Sequence, residues 1–437
     1  MKPASLVSGM CGGACARRHP RAAGEVAAWG AIAWPSSLSI ICRLGMAMTD
    51  ISVLGYLSTG SLAGASLSLV VQTLTSACVW GAFGSALNTL ASQAYGARQY
   101  ARVGLYLQTV AACASAACVP VACAWWYTEA IVTAAGFGGE QARLAGEFSR
   151  LSILGLVPNV LYQLFATFWQ VQQIVRPALV VSIIFLLANA GLNVVLVFGV
   201  GSFGGWGFAG SPIATSLTRT GMLLALWAYA VPYRRLHEKC WAGFTARAFD
   251  RDIVRAVIVR QALPSLLAGA LESWQLQVRA SRYAFPHARR MRLTHFRIRA
   301  ARGQCCAFFA ARLGPIPLAA HMAMLNFYYF TTSIQFGFSG ATAVRVGYHL
   351  GGGRVREAKL AGGVGLVFCA SAGAAVAVSM HASRASLGRL FSADPAVWAE
   401  ISTLAPLVGG GYAAMSIFYA AVGVLSGQAS AGTFDLI

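Results

Sequence analysis

Long apolar stretches alternate with short basic, polar or glycine-rich breaks along almost the whole chain. Ten of them, 28–54, 62–90, 103–126, 145–170, 177–200, 209–232, 253–278, 317–343, 360–382 and 401–425, reach the ~20 residues that a helix needs to cross a ~30 Å hydrocarbon core. Each is expected to be a membrane-spanning helix, so the fold class is an all-α polytopic membrane protein of about ten spans.

The pattern also repeats. Gly96 in SALNTLASQAYGARQYARVG and Gly351 in GATAVRVGYHLGGGRVREAKLAG both lie where an apolar span runs into a basic, glycine-bearing loop. Upstream, Leu62, Ala63, Leu69, Thr75 and Gly81 recur as Leu318, Ala319, Leu325, Thr331 and Gly337. Six spans separate the copies, an even number, so both face the same way: parallel repeats about an axis along the membrane normal, as some transporters have. Two pseudo-repeated six-helix bundles follow: residues 25–232 as the first lobe, 233–252 as a cytosolic connection, and 253–425 as a second lobe. Residues 1–24 read as a basic cytosolic tail and 426–437 as a short end. Since no apolar stretch follows SGQASAGTFDLI, the second bundle is expected to be incomplete and the chain truncated after span ten.

Composition agrees with a bilayer protein. Hydrophobic residues make up 57% and charged ones 11%, with a mean hydropathy of +0.63; a water-soluble fold of this length would lack polar surface to cover itself. With the N-terminus inside, seventeen lysines and arginines from Lys2 to Lys359 fall on the inner side, against Arg143, Arg384 and Arg389 outside. That asymmetry sets the orientation. The net charge of +20 is therefore read as topology and contact with anionic lipid, rather than as nucleic-acid binding. Residues 279–312 break the rule with nine arginines in an outer loop. A genuine extracytoplasmic insertion and non-native sequence both remain open for them.

Inside the spans, acids carry the chemistry. A carboxylate in an apolar span is a functional candidate by default, and Asp50 in MAMTDISVLGYL and Glu272 in LLAGALESWQLQ are the clear cases. Either can trade a proton against a bound cation. Each also has a structural reading: Arg43 lies two helical turns before Asp50 and is positioned for an intrahelical ion pair, while Gln275 and Arg279 could satisfy Glu272. Arg219 lies deep in span six with no partner legible in the sequence. Trp274, Gln170, Asn193 and Tyr328 are candidate cavity contacts, since ring faces attract organic cations. GGGRVREAK reads as a tight inner turn, because it lacks the lysine and hydroxyl of a phosphate loop. The cysteines and histidines lack metal-site spacing, and no catalytic motif appears, so neither a cofactor nor an enzyme is expected.

Taken together, Leu62 to Gln108, PNVLYQLFATFWQVQQIVRP at 158–177, LNVVLVFG at 192–199, GWGFAGSPIATSLT at 205–218, and LAAH through VRVGYHLGGG at 318–353 resemble the multidrug and toxic compound extrusion (MATE) transporters, eukaryotic members most closely. The resemblance implies twelve helices in two bundles that export organic cations in exchange for H+ or Na+. It sets Asp50 on a first-helix aspartate of bacterial members and Glu272 on the acid of the seventh helix. Departures are Asn88 where many eukaryotic relatives have a glutamate, Gln335 where a proline is usual, and Tyr348 in place of an asparagine. The reading is a monomeric, multi-pass antiporter of the plasma or vacuolar membrane, with membrane lipid and small organic cations as partners. A nontransporting membrane protein or regulatory partner and a lipid-linked substrate flippase are the alternatives.

Overall fold

The computed structural model describes residues 22–134, 136, 139–241, 243–267, 315–391 and 394–428. Glu272, Trp274 and the arginine-rich segment 279–312 lie outside them. Helices account for nearly all of the rest: α1 (Ala22–Leu57), α2 (Thr59–Gly96), α3 (Tyr100–Trp126), α4 (Thr128–Ala134), α5 (Glu140–Ser152), α6 (Leu156–Val171), α7 (Arg176–Phe198), α8 (Gly210–Ala228), α9 (Arg251–Arg255), α10 (Pro315–Gly351), α11 (Val355–Ala382), α12 (Arg384–Leu387) and α13 (Pro395–Gln428). π-Helical turns extend α8 to Tyr233 and α9 to Ala262. Most helices overrun the expected spans at their ends, as α1 does by six residues toward the tail, because a helix goes on satisfying its own backbone where the apolar stretch stops.

Among the described residues, seven spans are long and apolar enough to cross a membrane: α1, α2, α3, α5 with α6, α7, α11 and α13. Of the other three expected spans, α10 falls short for a reason visible in its side chains. Thr331, Thr332, Ser333, Gln335, Ser339, Thr342, Arg345 and His349 are all buried along it. These side chains face other helices, while Tyr329, Phe330 and Phe336 keep an exposed apolar strip on the same helix. In α7 the usual amphipathic pattern is inverted: Val180, Ile184, Leu187 and Val194 are exposed while Ser182, Asn189 and Asn193 are fully buried. Such an apolar outer face belongs in hydrocarbon.

The doubled glycines explain how the lobes meet. A Cβ on Gly96 of α2 would collide with the Tyr348 carbonyl of α10, and one on Gly351 of α10 would collide with the Gln93 carbonyl of α2. At the offset that relates Gly96 to Gly351, Gln93 corresponds to Tyr348 and Ser92 to Gly347. The contact is thus reciprocal, as it must be across a two-fold relation. Gly347 itself lies directly against Ser92, which puts that pair on the pseudo-axis. Farther along, Ser37 of α1 crosses Gly337 closely and donates to the Ile334 carbonyl at 3.1 Å.

Around these crossings lies the largest core, with Trp29, Phe338, Val364 and Ala420 buried together. Trp29 stacks on Phe368 at 4.8 Å and meets Phe338 edge-on at 5.0 Å, while its indole NH donates to Thr342 Oγ1 at 3.0 Å. The connection between the lobes is tied to the first one: Lys239 Nζ donates to the Tyr95 hydroxyl at 3.1 Å and lies 4.6 Å from the Tyr100 ring centre. Gly353, at φ +69°, closes the α10–α11 turn, where Arg354 N donates to the His349 carbonyl at 2.8 Å.

Candidate functional site

Asp50 sits in the second half of α1, 3% exposed, where the helix meets α7 and α8. Asn193 of α7 donates through Nδ2 to Asp50 Oδ1 at 2.9 Å. Thr215 of α8 places its hydroxyl 2.7 Å from both carboxylate oxygens. Behind them Asn189 Nδ2 donates to Thr215 Oγ1 at 3.2 Å, and Thr218 Oγ1 donates to the Ala214 carbonyl. The i, i+4 spacing of Asn189 and Asn193 puts both amides on one face of α7, and Thr215 and Thr218 are one turn apart on α8. A continuous polar seam is therefore built from three helices of the first lobe.

The seam is not saturated. Asn189 Oδ1 and Asn193 Oδ1 are buried without a hydrogen-bond partner among the described residues. Two amide oxygens, a hydroxyl and one carboxylate form a hard, oxygen-only donor set, suited to a proton or a small hard cation and unlike the His and Cys sets that soft metals select.

Arg43 does not reach this carboxylate. Its Nη1 donates instead to Ser39 Oγ at 3.0 Å, and its guanidinium lies 6.0 Å from the Tyr162 ring centre. Ser39 in turn shares a hydrogen bond with Ser182, which also meets the Tyr162 hydroxyl. The alternative structural reading, an Arg43–Asp50 ion pair, gives way to a link from α1 to α6 and α7, because the Arg43 stem is held by Ser39. Arg219 supplies the positive field near Asp50. It stands one turn beyond Thr215 on α8, and its stem runs beside Gly155, where a Cβ would come within 3.3 Å of Arg219 Cδ.

The other candidates are dispersed. Asn193 belongs to the Asp50 seam. Gln170, half-buried at the end of α6, faces α10 with its amide 3.2 Å from where a Cβ on Gly340 would stand. Tyr328 lies edge-on to Tyr412 of α13 at 5.9 Å, in the opposite half of the second lobe. Of the departures, Gln335 fills a buried position, donating to the Cys369 carbonyl at 3.2 Å and Ser416 Oγ at 3.0 Å. With no proline there, α10 runs unbroken. Asn88 Oδ1 is buried without a hydrogen-bond partner among the described residues.

A second charged cluster escaped the sequence reading. Arg345 of α10 grips Glu25 of α1 with two hydrogen bonds, Nε to Oε1 at 2.8 Å and Nη2 to Oε2. His349 Nε2 stands 3.1 Å from the same Oε2. Glu25 and His349 are 4% exposed and Arg345 is 7% exposed. In sequence, Glu25 looks like the edge of a tail and Arg345 like one more inner-side arginine. The signal that could have found them is the i, i+4 pair of Arg345 and His349 inside an otherwise uncharged helix.

Comparison with known proteins assigns the architecture. A MatE family model matches residues 35–195 and 300–433. The chain belongs to the MatE family. An uncharacterized transporter of Schizosaccharomyces pombe is 27% identical over 86% of this chain and 64% of its own length. Multidrug and toxin extrusion protein 1 of Xenopus tropicalis is 24% identical over 91% of this chain and 62% of its own. This MatE chain thus spans somewhat under two thirds of the length of these relatives. Among solved structures, the eukaryotic MATE transporter AtDTX14 superposes with a TM-score of 0.80 at 21% identity, covering 94% of this chain and 84% of that one. The Vibrio cholerae MATE transporter VcmN gives 0.76 at 14% identity, with 94% and 85% covered. The MatE fold is shared with both, and the family is one of membrane transporters.

Proposed function

We propose that this MatE chain is a secondary antiporter that exports organic cations and other xenobiotics in exchange for H+ or Na+ by alternating access, at the plasma or vacuolar membrane. The Asp50 seam carries the reading. A carboxylate buried among three helices, with donors satisfying it and amide oxygens left over beside it, is costly to keep for stability alone. Its occupant can be exchanged without any covalent step. Glu272 is assigned the matching role in the second lobe, and Trp274, Gln170 and Tyr328 are assigned to the cargo path. The relatives described as multidrug and toxin extrusion proteins support drug-like small molecules as cargo, and the buried carboxylate favours cationic ones among them.

Reconstitution tests it. Proteoliposomes with an imposed pH or sodium gradient should accumulate tetraphenylphosphonium, and the gradient that drives uptake names the coupling ion. Asp50→Asn should reduce gradient-driven uptake at least about a hundredfold, the loss of roughly 3 kcal/mol of coupling, with folded protein still recovered. Full coupled uptake in that variant would remove Asp50 from the mechanism.

A further inference from the structure

Among the described residues, hydrogen bonds between the two lobes are unevenly placed. Trp29 to Thr342, Ser37 to the Ile334 carbonyl, Thr89 to the Ser426 carbonyl, Gln93 to the Gly427 carbonyl, and Ser85 with Ser265 all join α1 or α2 to the second lobe. Every one lies in the half of the helices nearer the inner ends, as the orientation read from the basic loops defines them. The structure is therefore closed on the cytosolic side. Alternating access requires that same face to part.

Most of these bonds are neutral, and water replaces a neutral bond at a net cost of about 0.5–1.5 kcal/mol. Glu25, Arg345 and His349 differ. They bring a carboxylate from one lobe against a guanidinium and an imidazole from the other, all out of water. Two further facts give the cluster direction. Arg345 also lies 5.5 Å from the Tyr348 ring centre, the residue whose carbonyl Gly96 abuts at the pseudo-axis, so the charge pair is coupled to the helix crossing itself. His349 Nδ1 is buried without a hydrogen-bond partner among the described residues, a cost borne only while the lobes are shut.

We propose that Glu25, Arg345 and His349 form the cytosolic gate, in which Arg345 is an internal plug and Glu25 is the carboxylate that accepts organic cations once the plug withdraws. When the lobes part, the two walls carry opposite charge. A cationic cargo arriving from the cytosol is drawn to the Glu25 wall and repelled from the Arg345 wall, and it must leave Glu25 before the guanidinium can return. Closure with cargo still at the mouth is thereby disfavoured. The cargo half of the proposal rests on the antiport reading above; the gate half rests only on its alternating access, whatever the cargo.

The experiment separates them. Azide-bearing residues at Gln99, in the α2–α3 turn, and Arg356, at the inner end of α11, exposed positions in opposite lobes, are clicked to a dye pair in the otherwise complete chain, and single-molecule transfer reports lobe separation without cargo. Glu25→Gln buries Arg345 without its counter-charge, and Arg345→Gln leaves Glu25 with His349 alone. Either variant should raise the separated fraction about tenfold or more, since half of a buried pair is far worse than the pair. The double variant, which removes both partners of the ion pair, and the charge exchange Glu25→Arg with Arg345→Glu should each recover much of the closed population, which ties the separation in the single variants to an uncompensated buried charge. Unchanged transfer in both single variants overturns the gate, whatever the chain transports. For the cargo half, half-saturation for tetraphenylphosphonium added from the cytosolic face should rise severalfold in Glu25→Gln and not in Arg345→Gln. Equal values in the two variants would overturn the role of Glu25 as cation acceptor.

Discussion

Thr215 makes two 2.7 Å approaches to Asp50 but has a single hydroxyl proton, so at any instant it satisfies one carboxylate oxygen and stands ready for the other. Removing it leaves part of a buried carboxylate unsatisfied, and a hydrogen bond to a charged group is worth about 1.5–3 kcal/mol. Thr215→Val should therefore lower the melting temperature of the detergent-solubilised protein by several degrees, followed through its intrinsic tryptophan fluorescence. In an Asp50→Asn background the same substitution should cost clearly less, and additive losses would show that the two side chains are not energetically coupled. Asp50 was legible in the sequence because an acid in an apolar span has few innocent explanations. Its partners were not: Asn193 was expected at the cargo cavity, Thr215 carried no signal, and Arg219 gained a neighbour only once α8 lay beside α1. Spacing along one helix left an Arg43–Asp50 ion pair open as the alternative, since the two share a face, yet Arg43 is held by Ser39. Glu25 was missed for the converse reason. Its partner is 320 residues away, and nothing local marks a residue whose environment another lobe supplies.

Helices were the most legible level, because crossing a bilayer constrains length and polarity together and each segment states both. The doubled glycines were legible as well, though their purpose was not. They read as loop residues, whereas Gly96 and Gly351 are where α2 and α10 cross backbone to backbone. A larger side chain at Gly351 must displace the Gln93 carbonyl, which has no freedom to move within α2. Overpacking of this kind costs about 1–3 kcal/mol, and here it falls on the closed arrangement alone. Gly351→Val should therefore lower the melting temperature and enlarge the separated fraction seen between labels at Gln99 and Arg356. Gly363 of α11 supplies the control: a Cβ there meets nothing within 4 Å, so Gly363→Ala should leave the separated fraction unchanged and hold or slightly raise the melting temperature, since alanine favours a helix interior over glycine. If Gly351→Val were equally silent, the crossing would not hold the lobes together.

At the scale of the whole molecule, two independent features must agree on which way the chain faces. Basic residues orient it with the α2–α3 and α10–α11 turns inside, and the repeat demands that these two turns share a side. The cytosolic gate inherits that orientation, since the same half of α1, α2, α10 and α13 bears the contacts between lobes. Glycan acceptors test the arrangement directly, because an Asn-X-Thr site is modified only where it reaches the lumen during synthesis. Acceptors inserted after Ser58, near Ser202 and after Ser383 should each be glycosylated in microsomes and shift the mobility of the chain. Those inserted after Gln99, near Gln173 and after Gly353 should not. Modification at Gln99 together with Gly353 would invert the molecule while sparing the repeat, and would turn the gate toward the outside. Modification at only one of the two would break the parity on which the parallel relation of the lobes depends, and the reciprocal contact of Gly96 and Gly351 could not then form in the membrane.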